Sequence, residues 1–194
     1  MPWDAAILAG GQARRLDGRD KGALPVAGVR VIDRQLEALR PLTSRIVIVG
    51  GPPDRYGDVG VPVVPDLLPD VGPLGGLYTA LHGASERIIV LACDLPFVSS
   101  PFLRYLLEAG RDADVTLPRT TAGLHPLCAA YAAGAAPLIR RLIDEGVRRV
   151  QEALGSLRLH VVEGAALAAH DPDGRLLHNI NTPDDYARAI ALIE

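Results

Sequence analysis

The sequence predicts an α/β protein: a three-layer, Rossmann-like fold in which a mostly parallel sheet lies between helices on both faces. Three observations carry this. Short apolar, β-branched runs recur along the chain without polar alternation, the pattern of strands covered on both sides. Between them lie segments whose apolar residues fall three and four apart, the spacing of an amphipathic helix. Strand and helix then alternate, the element order of a doubly wound sheet.

The first run, residues 5–9, is a strand that ends in Gly10-Gly11. Ile32, Leu36 and Leu39 share one helical face, and a second strand follows at 45–49. Residues 61–64 form a third strand, closed by Pro65-Asp66. Gly72-Pro73-Leu74-Gly75-Gly76 opens a helix whose apolar face carries Leu77, Leu81 and Ala84. The strand at 87–92 runs into Cys93-Asp94-Leu95-Pro96, and Phe102, Leu103, Leu106 and Leu107 mark the next helix. A strand at 115–118 precedes the polar island His125-Pro126-Leu127. Leu138, Ile139, Leu142 and Ile143 make another helical face, and 159–162 a last strand. The alanine-rich stretch 165–169 is a loop or a helical turn. After Asn179-Ile180-Asn181, Thr182-Pro183-Asp184-Asp185 is a helix start, with Thr at the N-cap, Pro at the first position and acids in the first turn. Tyr186, Ala189, Ile190 and Ile193 continue it.

A chain of 194 residues, 48% hydrophobic, buries roughly 70% of its unfolded surface and folds without staples. One domain over 1–194 is the expectation. Cys93 and Cys128 lie in apolar surroundings without ligand spacing and read as reduced, buried thiols rather than a disulfide or metal site. Asp4 interrupts the apolar start, and no stretch reaches the ~18 apolar residues of a membrane span. A cytoplasmic protein with no membrane partner is expected. The net charge of −3 and pI near 5.9 argue against nucleic acid, whose usual electrostatic footprint is a basic stripe.

Against that acidic background, residues 14–21 carry four cations (Arg14, Arg15, Arg19, Lys21) and two carboxylates (Asp17, Asp20), a local balance of +2. A strand that runs into two glycines lets backbone N–H groups approach an anion with no Cβ in the way. Arginine's planar fork suits bidentate phosphate contact, and Lys21 supplies a mobile point charge. A cation about 4 Å from a phosphate charge contributes about 4 kcal/mol at an effective dielectric of 20, before desolvation. The stretch reads as a nucleoside triphosphate loop, although it is neither a Walker A element nor G-x-G-x-x-G; a tight structural turn is the alternative. In an open α/β sheet, ligands bind outside the carboxyl ends of the strands. Asp94 therefore either caps a turn or holds a divalent cation, and Mg²⁺ needs only one or two carboxylates besides substrate phosphates. Asp66 offers the same choice. The 72–76 glycines either admit a ligand to a helix N-terminus or allow close packing, which is favoured for Gly75. His125 has no nucleophile partner and reads as structural. Asn179 and Asn181 suit a heterocycle or phosphate, or form a turn.

Together, Leu8-Ala9-Gly10-Gly11, Arg14-Arg15-Leu16-Asp17-Gly18, Asp20-Lys21, Asp66, Gly72 to Gly76, Cys93-Asp94-Leu95-Pro96-Phe97, His125-Pro126-Leu127 and Asn179-Ile180-Asn181-Thr182-Pro183 resemble the molybdenum cofactor guanylyltransferases, the MobA family. The resemblance implies the nucleotidyltransferase version of the Rossmann-like fold. It implies transfer of GMP from GTP to the terminal phosphate of molybdenum-molybdopterin, with release of pyrophosphate. By position, Leu8, Ala9 and Gly10 hold the guanine and ribose end. Lys21 contacts the triphosphate, Asp66 is a second nucleotide contact, and Asp94 holds Mg²⁺ and contacts GTP. Gly11, Arg15, Gly18, Asn179 and Asn181 sit nearer the phosphates and the pterin. Lys21, Asp94 and Arg15 are the expected catalytic residues, with GTP and molybdenum-molybdopterin as partners and molybdoenzymes or their chaperones as recipients. The chain departs from the family at Leu16-Asp17-Gly18, often Met-Gly-Gly, and at Gly50-Gly51, where an Asn often stands. The rival enzyme readings are a molybdopterin cytidylyltransferase, typically Leu-Ala-Ala-Gly where this chain has Leu8-Ala9-Gly10-Gly11, and a sugar-1-phosphate nucleotidyltransferase. A non-catalytic nucleotide- or cofactor-binding adaptor is the rival of another class.

Overall fold

The computed structural model describes residues 3–10 and 20–193. The expectations for Gly11, Arg15 and Gly18 lie outside the described residues.

Strand β1 (Trp3–Leu8) is buried along its whole length. Its alternate side chains feed two cores: Ala5 and Ile7 join one, Ala6 and Leu8 the other. This is why the run shows no polar alternation. A two-stranded hairpin, β2 (Pro25–Val26) and β3 (Val29–Arg30), follows. Ala27 and Gly28 both have positive φ at its turn (49° and 78°), as the twist of a two-residue hairpin requires. Helix α1 (Val31–Leu39) leads to β4 (Thr43–Val49) and the short β5 (Val63–Val64). Then come α2 (Pro73–His82), β6 (Arg87–Ala92), α3 (Ser100–Glu108), β7 (Val115–Thr120), β8 (Gly123–Leu124) and β9 (Cys128–Ala132). Helices α4 (Ala136–Asp144) and α5 (Val150–Leu154), β10 (Leu159–Val162), α6 (Gly164–Ala168) and α7 (Pro183–Ala191) complete the chain.

The sheet order is β10-β7-β9-β6-β1-β4-β5, with β8 on β7. All the pairs along it are parallel except those of β9, which runs antiparallel to β6 and β7, and the β7–β8 hairpin. Helices α1 and α3 cover one face through Ile32, Leu36, Phe102 and Leu106. Helices α2, α4 and α5 cover the other through Leu77, Leu81, Ile139 and Leu154. Each such fully buried side chain contributes about 1.5–3 kcal/mol. The expected three-layer, mostly parallel architecture is the one observed.

The hairpin, β8, β9 and α5 are additional to the sequence reading. They carry too little pattern to announce themselves, and β9 is mostly alanine, a weak strand former. The alanine-rich stretch proves to be the one-turn helix α6. Among the described residues, no helix is long and apolar enough to cross a membrane.

Register decides what meets at the carboxyl rim. Leu8 pairs with Val49 on one side and with Ala92 on the other. Strands β1, β4 and β6 thus end level, and Gly10, Gly50 and Asp94 leave the sheet side by side. A small third core of Leu24, Val26, Val31, Ile180 and Ala189 ties α7 over the hairpin, and Tyr186 Oη donates to Pro25 O at 2.6 Å.

Candidate active site

The floor of the rim is backbone. Ala9 N donates to Val49 O (2.8 Å), Gly50 N to Val64 O (2.9 Å) and Cys93 N to Leu8 O (3.2 Å). Gly50 has φ +89°, and a Cβ there would come 2.5 Å from Gly10 Cα and 2.7 Å from Gly10 N. No other residue fits. The site at which the sequence departs from an Asn is therefore a close backbone crossing. Asp66 turns its carboxylate over this floor: Cβ atoms built on Gly10 and Gly76 would lie 3.3 Å from Oδ2 and 3.5 Å from Oδ1. Asp66 Oδ1 is buried and has no hydrogen-bond partner among the described residues, and burial raises the carboxyl's pKa. Gly75 packs closely instead, with its Cβ direction blocked by Leu68 O at 2.9 Å.

Lys21 reaches the rim from the hairpin side. Its Nζ donates to Asp94 Oδ2 at 3.2 Å and to Asn181 Oδ1 at 2.5 Å, joining groups 73 and 160 residues away. An ammonium has three donors, so a third remains beyond these two contacts. Asp94 is buried, and its Oδ1 has no partner among the described residues. Burial raises its pKa, with the Lys21 cation pulling the other way. Asn181 is held by the start of α7. Its N–H donates to Asp185 Oδ2 (3.1 Å), as does that of Thr182 (2.9 Å), while Asp185 N donates to Thr182 Oγ1 (3.2 Å). The predicted N-cap is thus a reciprocal capping box, and its functional consequence is a fixed Asn181.

On the β9 side, a cavity of about 330 Å³ is lined by Asp94, His125, Arg148, Gln151, Asn179 and Asn181 among others. A wider, open groove of about 1120 Å³ runs past Arg119, Thr120, Glu163 and Arg188 and shares His125, Asn179 and Asn181. His125 contacts Thr120 Oγ1 through Nε2 at 2.8 Å, and burial lowers its pKa, which keeps the ring neutral. Both cysteines are free thiols pushed up to about 12 by burial; Cys128 is buried as expected, whereas Cys93 is half-buried.

Two residues that the sequence did not single out, Arg55 and Tyr56, join Asp20 beside Lys21. Asp20 Oδ1 accepts from Gly22 N (3.1 Å) and from the Tyr56 hydroxyl. Its Oδ2 lies 3.4 Å from Arg55 Nε, and Arg55 Nη1 donates to Ala9 O at 2.6 Å. No sequence pattern links a Pro-Pro-Asp-Arg-Tyr loop to a site more than thirty residues earlier.

Among the described residues, no three His, Cys, Asp or Glu side chains gather as a metal cage. A Mg²⁺ shared between one carboxylate and substrate phosphates needs none. Asp94 Oδ1, an acceptor without a partner on a buried carboxylate, fits that requirement.

Residues 5–159 match the model of the MobA-like NTP transferase domain. A protein of Pelotomaculum thermopropionicum named "Probable molybdenum cofactor guanylyltransferase" is 34% identical over 193 residues, spanning 97% of this chain and 92% of its own. The molybdenum cofactor guanylyltransferase of Desulfosudis oleivorans is 30% identical over 97% of this chain and 94% of its own. The crystal structure of molybdopterin-guanine dinucleotide biosynthesis protein A from Archaeoglobus fulgidus superposes with a TM-score of 0.84 at 29% identity, covering 98% of each chain.

Proposed function

We propose guanylyl transfer as the reaction of this chain, which belongs to the MobA-like NTP transferase family. It is a nucleotidyltransferase, and our reading is that it moves GMP from GTP to the terminal phosphate of molybdenum-molybdopterin. The observation that carries the reading is the junction of Lys21, Asp94 and Asn181 at the carboxyl rim. One cation and one buried carboxylate meet there between a glycine-floored half and a half lined by polar side chains.

The chemistry follows from that division. GTP lies on the glycine side, its guanine and ribose against the backbone of Leu8, Ala9 and Gly10. Asp66 Oδ1, without a partner among the described residues, offers an acceptor for a donor of the nucleotide. The acceptor phosphate approaches from the side of Asn179 and Asn181. Its oxygen attacks the α-phosphorus, the bond from that phosphorus to the β-phosphate's bridging oxygen breaks, and pyrophosphate leaves. A phosphate is already ionised at neutral pH, so no general base is needed, and the neutral His125 is not asked to be one. The residues contribute position and charge. Asn181 and Asp94 hold the Lys21 ammonium, and its remaining donor meets the triphosphate. Asp94 would hold Mg²⁺ through Oδ1, where the ion supplies charge neutralisation of the phosphates. By the resemblance, Arg15 would add a second cation to the leaving group.

Purified protein with GTP, Mg²⁺ and molybdenum-molybdopterin should release pyrophosphate and form the guanine dinucleotide, with GTP preferred over CTP and UTP in competition. Binding of GTP without pyrophosphate would favour an adaptor, and CTP preference a cytidylyltransferase; either result rejects the reading.

A further inference from the structure

We propose that Asp20, Arg55 and Tyr56 form a positioning assembly that sets the direction of Lys21, and that they act on the reaction only through it. The argument begins with a turn. Asp20 Oδ1 accepts from the N–H of Gly22, two residues on, so Lys21 is the middle residue of an Asx-turn. Ala23 N to Asp20 O (3.1 Å) and Leu24 N to Lys21 O (3.2 Å) close the turns behind it. The direction in which Lys21 leaves the backbone therefore depends on the Asp20 carboxylate staying in place.

Two side chains from the loop after β4 keep it there. The Tyr56 hydroxyl donates to the same Oδ1, and burial together with that bond keeps the phenol protonated as a donor. Arg55 spans Asp20 Oδ2 and the carbonyl of Ala9, so the carboxylate is tied to the end of β1. Tyr56 holds φ +59°, a left-handed conformation rare for an aromatic residue and one that points to a functional constraint. Two glycines clear space for the pair. A Cβ on Gly22 would lie 2.4 Å from Tyr56 Oη, and one on Gly51 would lie 2.9 Å from Arg55 Nη1. An Asx-turn around Lys21, a strained buried tyrosine, an arginine bridge and two cleared glycines converge on one carboxylate. None of the three side chains needs to touch substrate for this.

The inference rests on the proposed guanylyl transfer, and a double-mutant cycle separates the two. Tyr56→Phe keeps the ring and removes the hydroxyl. In the wild-type background it should lower the single-turnover rate with GTP by about tenfold, the size of one hydrogen bond to a charged group. In a Lys21→Ala background it should cost less than about twofold, because nothing remains to be positioned. Arg55→Gln, a substitution at a half-exposed site, should show the same non-additivity, and GTP affinity by calorimetry gives the cycle a second readout. Equal losses in both backgrounds, or no loss in wild type, overturn the inference while leaving GMP transfer standing. A wild-type chain that neither binds nor turns over GTP overturns both. A merely structural role would lower the melting temperature and cost the same rate factor with or without Lys21.

Discussion

Asp94 is the residue at which charge, burial and chemistry are most at odds. A carboxylate that the proposed reaction needs ionised to hold Mg²⁺ sits where burial favours its protonated form. Two consequences have opposite signs. Transfer should fade as pH falls through the raised Asp94 value. Over the window between that value and the ordinary ~3.9, the folded chain binds the proton more tightly than the unfolded one, so this residue's contribution to stability increases as pH falls. Asp94→Asn removes the buried charge. It should melt at or above the wild-type temperature at pH 7 while losing Mg²⁺-dependent transfer, and its margin over wild type should shrink on acidification. A neutral-pH melting temperature well below wild type would show that the pair with Lys21 outweighs the burial cost. Lys21→Ala should weaken GTP affinity and slow the chemical step, each by roughly ten- to a hundredfold, as for a lost bond to a charged group. An unchanged GTP titration would remove Lys21 from the site.

Among the elements, the ends matter more than the middles. Helix α7 packs few residues into the main cores, yet its first turn fixes Asn181. Thr182→Ala should cost about 1 kcal/mol of stability, as capping residues do, and should also slow transfer, because Asp185 and Asn181 lose their arrangement. Denaturant unfolding and a rate measurement on the same variant check both parts. Gly50→Ala puts a methyl group into Gly10 at a positive-φ position, a strain of order 1–3 kcal/mol; its melting temperature and the KM for GTP should both worsen. Here the limits of the sequence are physical. The start of α7 was legible because Thr-Pro-Asp-Asp states its own local geometry. Strand β6 was legible because a run of β-branched residues before an Asp admits few other readings. Strand β9 was not, since Cys-Ala-Ala-Tyr-Ala acquires strand character only from β6 and β7 on either side of it. Nor was the role of Gly50, because its requirement comes from Gly10, forty residues away and visible only once β1 and β4 pair.

The fold as a whole does one thing for the site: it brings three strand ends level and then packs α7 over the hairpin, so that the segment leading into α7 meets the rim at Asp94. Lys21 and Asp94 could each be named from the sequence as polar residues after glycines or a strand. Their 3.2 Å approach, and the part of Asn181 in it, come from register and from the third core beneath α7. The assembly of Asp20, Arg55 and Tyr56 was hidden for the same reason, since tertiary contacts leave no periodic trace. A ligand that binds only the assembled rim must stabilise the fold, by about 2.7 kcal/mol at a hundred times its dissociation constant. GTP with Mg²⁺ should therefore raise the melting temperature more than CTP with Mg²⁺ does. The decisive measurement is a crystal structure of the chain soaked with GTP and Mg²⁺. It should place the triphosphate against Lys21, the metal on Asp94 and the guanine over Gly10 and Gly50. Guanine nucleotide bound elsewhere, or a metal held without Asp94, would contradict the reading of this rim as the transfer site.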